Sequence, residues 1–482
     1  MSVTLRTANE QDIVNVKLLA DANRRELGFH ARQAFIESVA KQELIVAERD
    51  GNIVGSARFH IRRDRIATLY EVVTALNERR TGIGRLLMEA VYRACQDKGA
   101  RRLRLSCPIE LPANAFYAAL GMKRPAAYSN PGRQRPLYVW ETLVMLPRRL
   151  NFAASITAST TDLNQLIKLW ETAGGGPRPF DYCIVTPLFA DPGALNAIRY
   201  MQERWGVRVI FDSGGFFVQQ GKIAYEELFA RLLEFYQRND WGDTYVLPDY
   251  VPTSRQSVAE VQERVYVTAA EGVKFYRRMP HQLQDRAQGV LQGHTQKHLA
   301  HCFHTFMEAG IQRIGFGSFD TGGANSEINL LTDDSLQRLE YVKTLISTYY
   351  TSGQGTTVPN LHLFGVSNPK NLEQFPNYLA TSFDSSGWLR TAGLGNVYLP
   401  FQGRKNVTHG SSSLMSGRGL TAADFYADCE RTNHSCPFCQ DYTHLQRNRL
   451  ARIWHNAIVF SEMTDTINSR NAYAFGIPCV QD

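Results

Sequence analysis

No uninterrupted apolar run of about 18 residues, the length a helix needs to cross a bilayer, occurs in the sequence, so no membrane-spanning helix and no membrane partner are expected. The N-terminus MSVTLRTANEQD has neither the basic start nor the apolar stretch of a secretory leader, and the expected location is cytoplasmic. Cysteine is scarce, with 8 in 482 residues, too few for a disulfide scaffold, and only Cys429, Cys436 and Cys439 cluster. In a reducing compartment such a cluster points to a metal before a disulfide. Repeats of 20 to 50 residues and low-complexity tracts are also missing, which excludes solenoid, collagen-like and wholly disordered chains. What is present is the composition of globular protein, 44% hydrophobic and 21% charged, over a length that suggests two to three domains of roughly 150 residues.

Charge is unevenly placed. Residues 1–150 hold 25 Lys+Arg against 15 Asp+Glu, whereas the other 332 hold 28 against 31, so the net +7 arises in the N-terminal third. A basic excess there suits a phosphate-bearing cofactor, a nucleic acid or simply a solvated surface. Residues 1–150 read as a mixed α+β domain: strand VTLRTA, a helix from Asp12 to Glu26, and strands ELIVAERD and NIVGSARFHI joined by Asp50-Gly51-Asn52, a hairpin signal. Strand ATLYEVVT, a glycine turn, a helix from Gly84 to Lys98, strand RRLRLSC and a short helix from Ala113 to Leu120 follow.

The small, polar stretch from Leu146 to Asp162 marks a boundary, and residues 151–179 read as a linker. Over residues 180–482, strand-like runs (YCIVTPLF, VRVIFDSGGF, TYVLPDYV, RIGFGSF, LHLFGV, LATSFDSSG) alternate with helix-period segments. That alternation predicts an α/β unit with a parallel sheet, most economically a (β/α)8 barrel whose chemistry gathers at the strand ends.

Two regions carry chemistry. In the first, Arg79-Arg80-Thr81-Gly82-Ile83-Gly84-Arg85 follows a strand and opens a helix, where backbone N–H groups and the helix dipole suit an anion. With Asn114-Ala115-Phe116-Tyr117 some 30 residues later, residues 1–150 resemble the GNAT acetyltransferases. The resemblance implies that Arg79, Gly82 and Gly84 hold the pyrophosphate of acetyl-CoA, that Tyr117 protonates the departing thiolate, and that Glu71 stands where some members carry a general base. Whether this domain still acetylates stays open.

In the second region, Phe211-Asp212-Ser213-Gly214-Gly215-Phe216-Phe217 places a carboxylate at a strand end before two glycines, leaving room for a flat substrate. Asp249, Gln292 and Asp384 follow at later strand ends, with Gly317 on a glycine-rich strand between the last two. Carboxylates accept from N–H groups and an amide both accepts and donates, so this polar ring suits a purine. In that order, and with a terminal Cys/His cluster, residues 180–470 resemble the tRNA-guanine transglycosylases, zinc-containing (β/α)8 enzymes. The resemblance implies Asp384 as nucleophile, Asp212 as general acid/base, and Asp249, Gln292 and Gly317, with Ser213, Gly214, Gly215 and Phe216, around the base. Phe216, Phe217 or Tyr250 are candidates to stack on an extruded base.

Cys429, Cys436, Cys439 and His455 supply three thiolates and an imidazole, enough for a closed tetrahedral zinc site near residues 424–460. The family's Cys-x-Cys is replaced by His434-Ser435-Cys436, so the fourth ligand is either Cys429, the preferred choice, or His434; His444 reads as a surface residue. The family's Pro-Thr-Arg after the nucleophile is likewise replaced, by Ser385-Ser386-Gly387-Trp388-Leu389-Arg390. With the basic N-terminal third, these departures favour the DNA-directed, DpdA-type branch, which exchanges guanine for a 7-deazaguanine such as preQ0. The same exchange on tRNA is the alternative, and a nucleic-acid-associated acetyltransferase with a non-catalytic barrel is the second. Structural zinc is the expected cofactor, with acetyl-CoA for the N-terminal domain, and oligomeric state stays open between a homodimer and a monomer.

Overall fold

A computed structural model describes residues 3–128, 135–144, 148–156, 159–253, 256–322, 328–355, 357–374, 379–408 and 419–475. The chain divides into two units, Met1–Pro147 with Tyr349–Thr356 and Ser469–Val480, and Arg148–Thr348 with Thr357–Asn468 and Gln481–Asp482.

The first unit contains strands β1 (Thr4–Thr7), β2 (Leu44–Arg49), β3 (Asn52–Ile61), β4 (Ile66–Thr74), β5 (Arg102–Pro108), β6 (Lys123–Tyr128) and β7 (Leu137–Leu143), in the sheet order β1-β2-β3-β4-β5-β7-β6. Its helices are α1 (Ile13–Ala22), α2 (Arg24–Leu27), α3 (Arg32–Ala40), α4 (Ile83–Asp97) and α5 (Ala113–Ala119). Asp50 and Gly51 both have positive φ, 52° and 77°, as the β2–β3 hairpin requires. The helix expected from Asp12 to Glu26 breaks at Asn23, and α3 was not foreseen. On α4 the buried set Ile83, Leu87, Met88, Val91, Tyr92 and Cys95 forms one face of a 3.6-residue period. Leu87 and Ile83 press on β3 at Gly55, where an added Cβ would come 2.9 Å from the Leu87 side chain.

The second unit is built on a closed barrel of eight parallel strands. In chain order these are β8 (Asn151–Ser155), β9 (Tyr182–Val185), β10 (Arg208–Phe211), β11 (Thr244–Val246), β12 (Ala287–Leu291) and β13 (Arg313–Phe316), then, after the hairpin β14 (Asp320–Gly322) and β15 (Ile328–Leu330), β16 (Asn360–Leu363) and β17 (Ala380–Ser385). Helices α6 (Thr160–Thr172), α7 (Pro192–Trp205), α8 (Gly215–Gln219), α9 (Tyr225–Arg238), α10 (Val258–Arg278), α11 (Gln296–Glu308), α12 (Asp333–Ser352) and α13 (Gly387–Gly393) lie along the chain between or after these strands, followed by α14 (Ala422–Arg431), α15 (Tyr442–Arg447) and α16 (Arg449–Phe475). None of the described helices is long and apolar enough to cross a membrane.

Residues 151–179, read from sequence as a linker, instead supply the first barrel strand and its helix. Part of the boundary stretch, 146–147 and 157–158, lies outside the described residues. The β8 string NFAAS looked like linker because a barrel interior has little room: Ala153 joins Ile184, Ile210, Val246 and Val290 in the inner layer. Its one large residue, Phe152, packs on Phe180, Phe383 and Phe460 with ring centroids 6.3, 5.6 and 5.4 Å away. Glycine makes room elsewhere. The Phe306 ring fills the space over Gly289 of β12 and Gly272 of α10, where added Cβ atoms would lie 2.6 and 3.1 Å from it.

Candidate active site and Cys/His centre

Side chains of a parallel barrel alternate between interior and exterior, so residues two apart share a face. Ile210 and Val290 line the interior, and the next residues on their side, Asp212 and Gln292, stand at the C-terminal ends of β10 and β12. Asp249 follows β11, Gly317 follows β13, and Asp384 lies near the end of β17. The fold therefore brings the expected polar ring to the strand-end rim of one barrel.

Asp249 is 5% exposed and both its oxygens are held: Ser213 Oγ donates to Oδ1 at 2.5 Å and Gln292 Nε2 to Oδ2 at 2.6 Å. Burial raises its pKa against those two hydrogen bonds. Gln292 is thereby oriented with its amide nitrogen on Asp249, and a side chain on Gly317 would press on that nitrogen at 3.2 Å. Ser213 positions Asp249 and also accepts from the Gly215 N–H at 3.1 Å. The glycines differ from their sequence reading. A Cβ on Gly215 would come 2.3 Å from Asp249 Oδ1, so this glycine makes room for the neighbouring carboxylate, while Gly214 takes φ +85° at the start of α8.

Asp212 accepts from Thr186 Oγ1 at 3.0 Å and from the Gly214 N–H at 3.4 Å. Burial, with the negative charges of Asp249 and Asp384, pushes it up to about 7. Asp384, 7% exposed, is supplied with donors: Gly365 N–H at 2.7 Å and His362 Nε2 at 3.3 Å on Oδ1, and Ser155 Oγ at 3.0 Å on Oδ2. Sequence reading missed His362, Ser155 and Thr186. Each lies on an interior-facing or strand-end position, a signal that emerges once β8, β9 and β16 are in register.

Of the three aromatic residues expected to stack on a base, two are already occupied. Phe217 lies flat on Phe189 with centroids 3.7 Å apart, and Tyr250 is sandwiched between Tyr225 at 5.1 Å and the Arg264 guanidinium at 4.1 Å. Phe216, 38% exposed, keeps an open face. The segment after Asp384 begins α13, and its Trp388 is buried against Phe180 and Trp454.

The cysteine region closes around four side chains. His434, Cys436, Cys439 and His455 are all buried, with their ligand atoms within 4.8 Å of one another. His455 Nε2 donates to the Tyr398 carbonyl at 2.7 Å, which leaves Nδ1 facing Cys439 at 3.1 Å. His434 Nδ1 donates to Glu462 at 2.6 Å, which leaves Nε2 facing Cys439 at 3.1 Å. Both imidazoles thus present a lone pair to the sulfurs, oriented by an outer partner as metal-ligating histidines are. Hydrogen bonds with Cys439, His434 and His455 lower the pKa of Cys436, and the contacts with Cys429 and Cys436 raise that of Cys439, so the sulfurs share their protons as one group. This donor set fits zinc. It differs from the preferred assignment. Asn433 takes φ +52° at the end of α14, and the His434 N–H bonds back to the Cys429 carbonyl at 2.9 Å, which swings His434 into the quartet. Cys429 lies beside Cys439, in side-chain hydrogen-bond contact with it but outside the quartet. His444 is exposed on α15, as expected.

In the first unit, β4 and β5 pair in parallel only from Ile66–Leu69 to Arg102–Leu105, and their C-terminal parts are unpaired with each other. Tyr117 lies buried between Phe116 and Trp140, with centroids 5.4 and 6.3 Å away, and burial raises its pKa so that it keeps its proton. Gly82, with φ +93°, opens α4 without a side-chain cap, and Gly84 faces the Phe116 ring. The Arg79 guanidinium binds Glu26 at 2.9 Å and Asn23 at 2.7 Å. Glu71 is buried, with Oε2 shared by His30 at 3.3 Å and Arg58 at 3.4 Å and with Oε1 left without a hydrogen-bond partner among the described residues.

Residues 15–122 match the acetyltransferase (GNAT) family, so the first unit contains a GNAT domain; the match spans under a quarter of the chain. Among solved structures, the ribosomal-protein-S18-alanine N-acetyltransferase from Escherichia coli is 17% identical, over 30% of this chain and 96% of that one, with a TM-score of 0.26. An N-acetyltransferase from Staphylococcus aureus Mu50 is 17% identical over 30% and 100%, TM-score 0.28. The PaiA N-acetyltransferase from Thermoplasma acidophilum, in complex with coenzyme A, is 15% identical over 30% and 99%, TM-score 0.26. No curated protein matches the chain.

Two outcomes follow from this geometry. Because folding lifts Asp212 from 3.8 to about 7, the native state binds its proton more tightly than the unfolded chain, and stability falls as pH rises through that window. Asp212→Asn is therefore expected to be more stable than wild type at pH 8 by up to about 4 kcal/mol, with the gap closing towards pH 4; denaturant titrations at both pH values measure it, and a gap independent of pH contradicts the assignment. At the Cys/His centre, elemental analysis is expected to find about one zinc per chain, reduced more by His434→Ala than by Cys429→Ala.

Proposed function

We propose that the barrel exchanges guanine for a 7-deazaguanine base, preQ0 or a close relative, in DNA. The observation that carries this reading is the pairing of two unlike carboxylates in one barrel mouth, Asp384 supplied with three donors and Asp212 poised near neutrality. In this reading Asp384 attacks the anomeric carbon as the bond to the guanine nitrogen breaks, the electron pair leaves with guanine, and Asp212 supplies a proton to the departing base. The incoming base then gives its ring N–H proton to Asp212 and displaces the Asp384 ester, so two inversions retain configuration. A group titrating near 7 serves both as acid and as base at neutral pH. Asp249 and Gln292 read the edge of the base, with the backbone at Gly317 beside them and Phe216 available for stacking.

The reading makes the second unit a (β/α)8 transglycosylase with a zinc-binding insertion, in which His434, Cys436, Cys439 and His455 hold the ion. Zinc there ties the Cys436–Cys439 loop to α16 and takes no part in the chemistry. DNA is favoured over tRNA because the segment after Asp384 departs from the tRNA enzymes and residues 1–150 carry the basic excess.

A second reading concerns the first unit. The GNAT match, the uncapped start of α4 and the protonated Tyr117 beside the β4–β5 divergence support acetyl-CoA binding and acetyl transfer. If that is the whole activity, acetyl transfer occurs without base exchange and Tyr117→Phe abolishes it.

Incubating the full chain with guanine-labelled duplex DNA or, separately, tRNA, in the presence of unlabelled preQ0, tests the proposal. Label is expected to be released from DNA and to fall to background with Asp384→Ala. Release from tRNA alone moves the acceptor to tRNA, and release from neither contradicts base exchange.

A further inference from the structure

His362 is 1% exposed, and the mechanism above assigns it no step. It sits on β16 facing the barrel interior, with Nε2 3.3 Å from Asp384 Oδ1 and Nδ1 2.8 Å from Ser382 Oγ. A carboxylate oxygen only accepts, so Nε2 carries the proton, and in the neutral ring Nδ1 accepts from the Ser382 hydroxyl. The ring is thus fixed at both nitrogens, and Phe364 packs on it with centroids 4.6 Å apart.

The strand pairing shows how this arrangement arises. Leu361 faces Ala380, but His362 faces Ser382, so Thr381 is an extra residue in β17. A one-residue shift exchanges the two faces of a strand, and bulges of this kind re-aim side chains beside functional sites. Here the bulge puts Ser382 and Asp384 on the same side as His362. A second device is Gly365, whose N–H donates to Asp384 Oδ1 at 2.7 Å. Gly365 takes φ +68°, and a Cβ there would lie 2.2 Å from the Asn329 amide.

The two oxygens of Asp384 are therefore unequal. Oδ1 is held by two N–H donors fixed by backbone and buried packing, whereas Oδ2 has one rotatable hydroxyl, Ser155 Oγ, at 3.0 Å. We propose that His362 is a positioning residue that, with the Gly365 N–H, pins Oδ1 so that Oδ2 is the atom that bonds to the sugar. The inference rests on the base-exchange reading and adds to it which oxygen attacks and what holds the other. When Oδ2 attacks, its electron pair forms the new C–O bond, the bond to guanine breaks, and Oδ1 becomes the carbonyl oxygen of the ester, still facing the two donors. In the second step that carbonyl regains negative charge as the ester breaks, and the same donors stabilise the returning carboxylate.

Two variants separate this role from packing. His362→Leu fills the space without a donor, and His362→Gln restores an N–H on a flexible stem. His362→Leu is expected to lower kcat for base exchange by about 10²-fold, the usual effect of losing one donor at a reacting oxygen, with KM for the incoming base close to wild type. His362→Gln is expected to recover at least about tenfold of that loss. Equal loss in both variants, or a His362→Leu enzyme within about threefold of wild type, overturns the proposal. Nitrogen NMR of the imidazole provides a readout independent of activity: a protonated Nε2 signal is expected in wild type and is expected to shift in Asp384→Asn. If wild type exchanges no base, the base-exchange reading fails on that result, and the NMR decides separately whether the His362–Asp384 pair exists; a spectrum unchanged in Asp384→Asn overturns it.

Discussion

Three aspartates share the rim of one barrel, and the cost of holding like charges together away from water governs much of what surrounds them. Burial disfavours the charged form of Asp212 and Asp249, and at Asp212 the charges of Asp249 and Asp384 add to the penalty. The barrel meets this constraint in three different ways. Asp249 has its charge stabilised by hydrogen bonding, with one donor on each oxygen. Asp384 takes three donors from two segments of the chain, β16 with its end and β8. Asp212, with one hydroxyl and one long backbone contact, is left to hold its proton until about pH 7. Unequal provision of donors gives chemically identical side chains different surroundings, the condition for one to act as nucleophile and another to move protons.

Much of this was legible in the sequence, for identifiable reasons. Aspartates at the ends of apolar, β-rich runs stand out against their background, so Asp212, Asp249 and Asp384 could be placed before the barrel was seen. The Asp50-Gly51 hairpin was legible because few residues tolerate its backbone angles. Partner residues left no such trace. His362 and Ser155 gain their roles from strands far away in the chain, and a bulge at Thr381 has no periodic signature. Strand β8 was hidden because interior positions near the axis need Asn, Ala and Ser, the composition of a linker.

The same limit applies to the Cys/His centre. The sequence favoured Cys429 over His434 as the remaining ligand, whereas a left-handed residue at the end of α14 brings His434 into the quartet. The centre is tied into the second unit through α16. His455 and Asn456 both bind residue 398, and Trp454 packs against Trp170 with the rings tilted, Trp170 itself facing Phe438 of the cysteine loop. In the first unit, glycines Gly82 and Gly84 lie where expected at the start of α4, and Arg79 and Glu71 take part in ion pairs that a linear reading could not foresee.

The central claim is that Asp384 forms a bond to the sugar. Mixing the full chain with an end-labelled DNA duplex in the absence of free base, then denaturing in detergent, tests it directly. The account predicts a labelled protein–DNA adduct that survives denaturation, maps by peptide mass to Asp384 and disappears when preQ0 is added before the quench. Base exchange without any such adduct, or an adduct mapping to another residue, would contradict it.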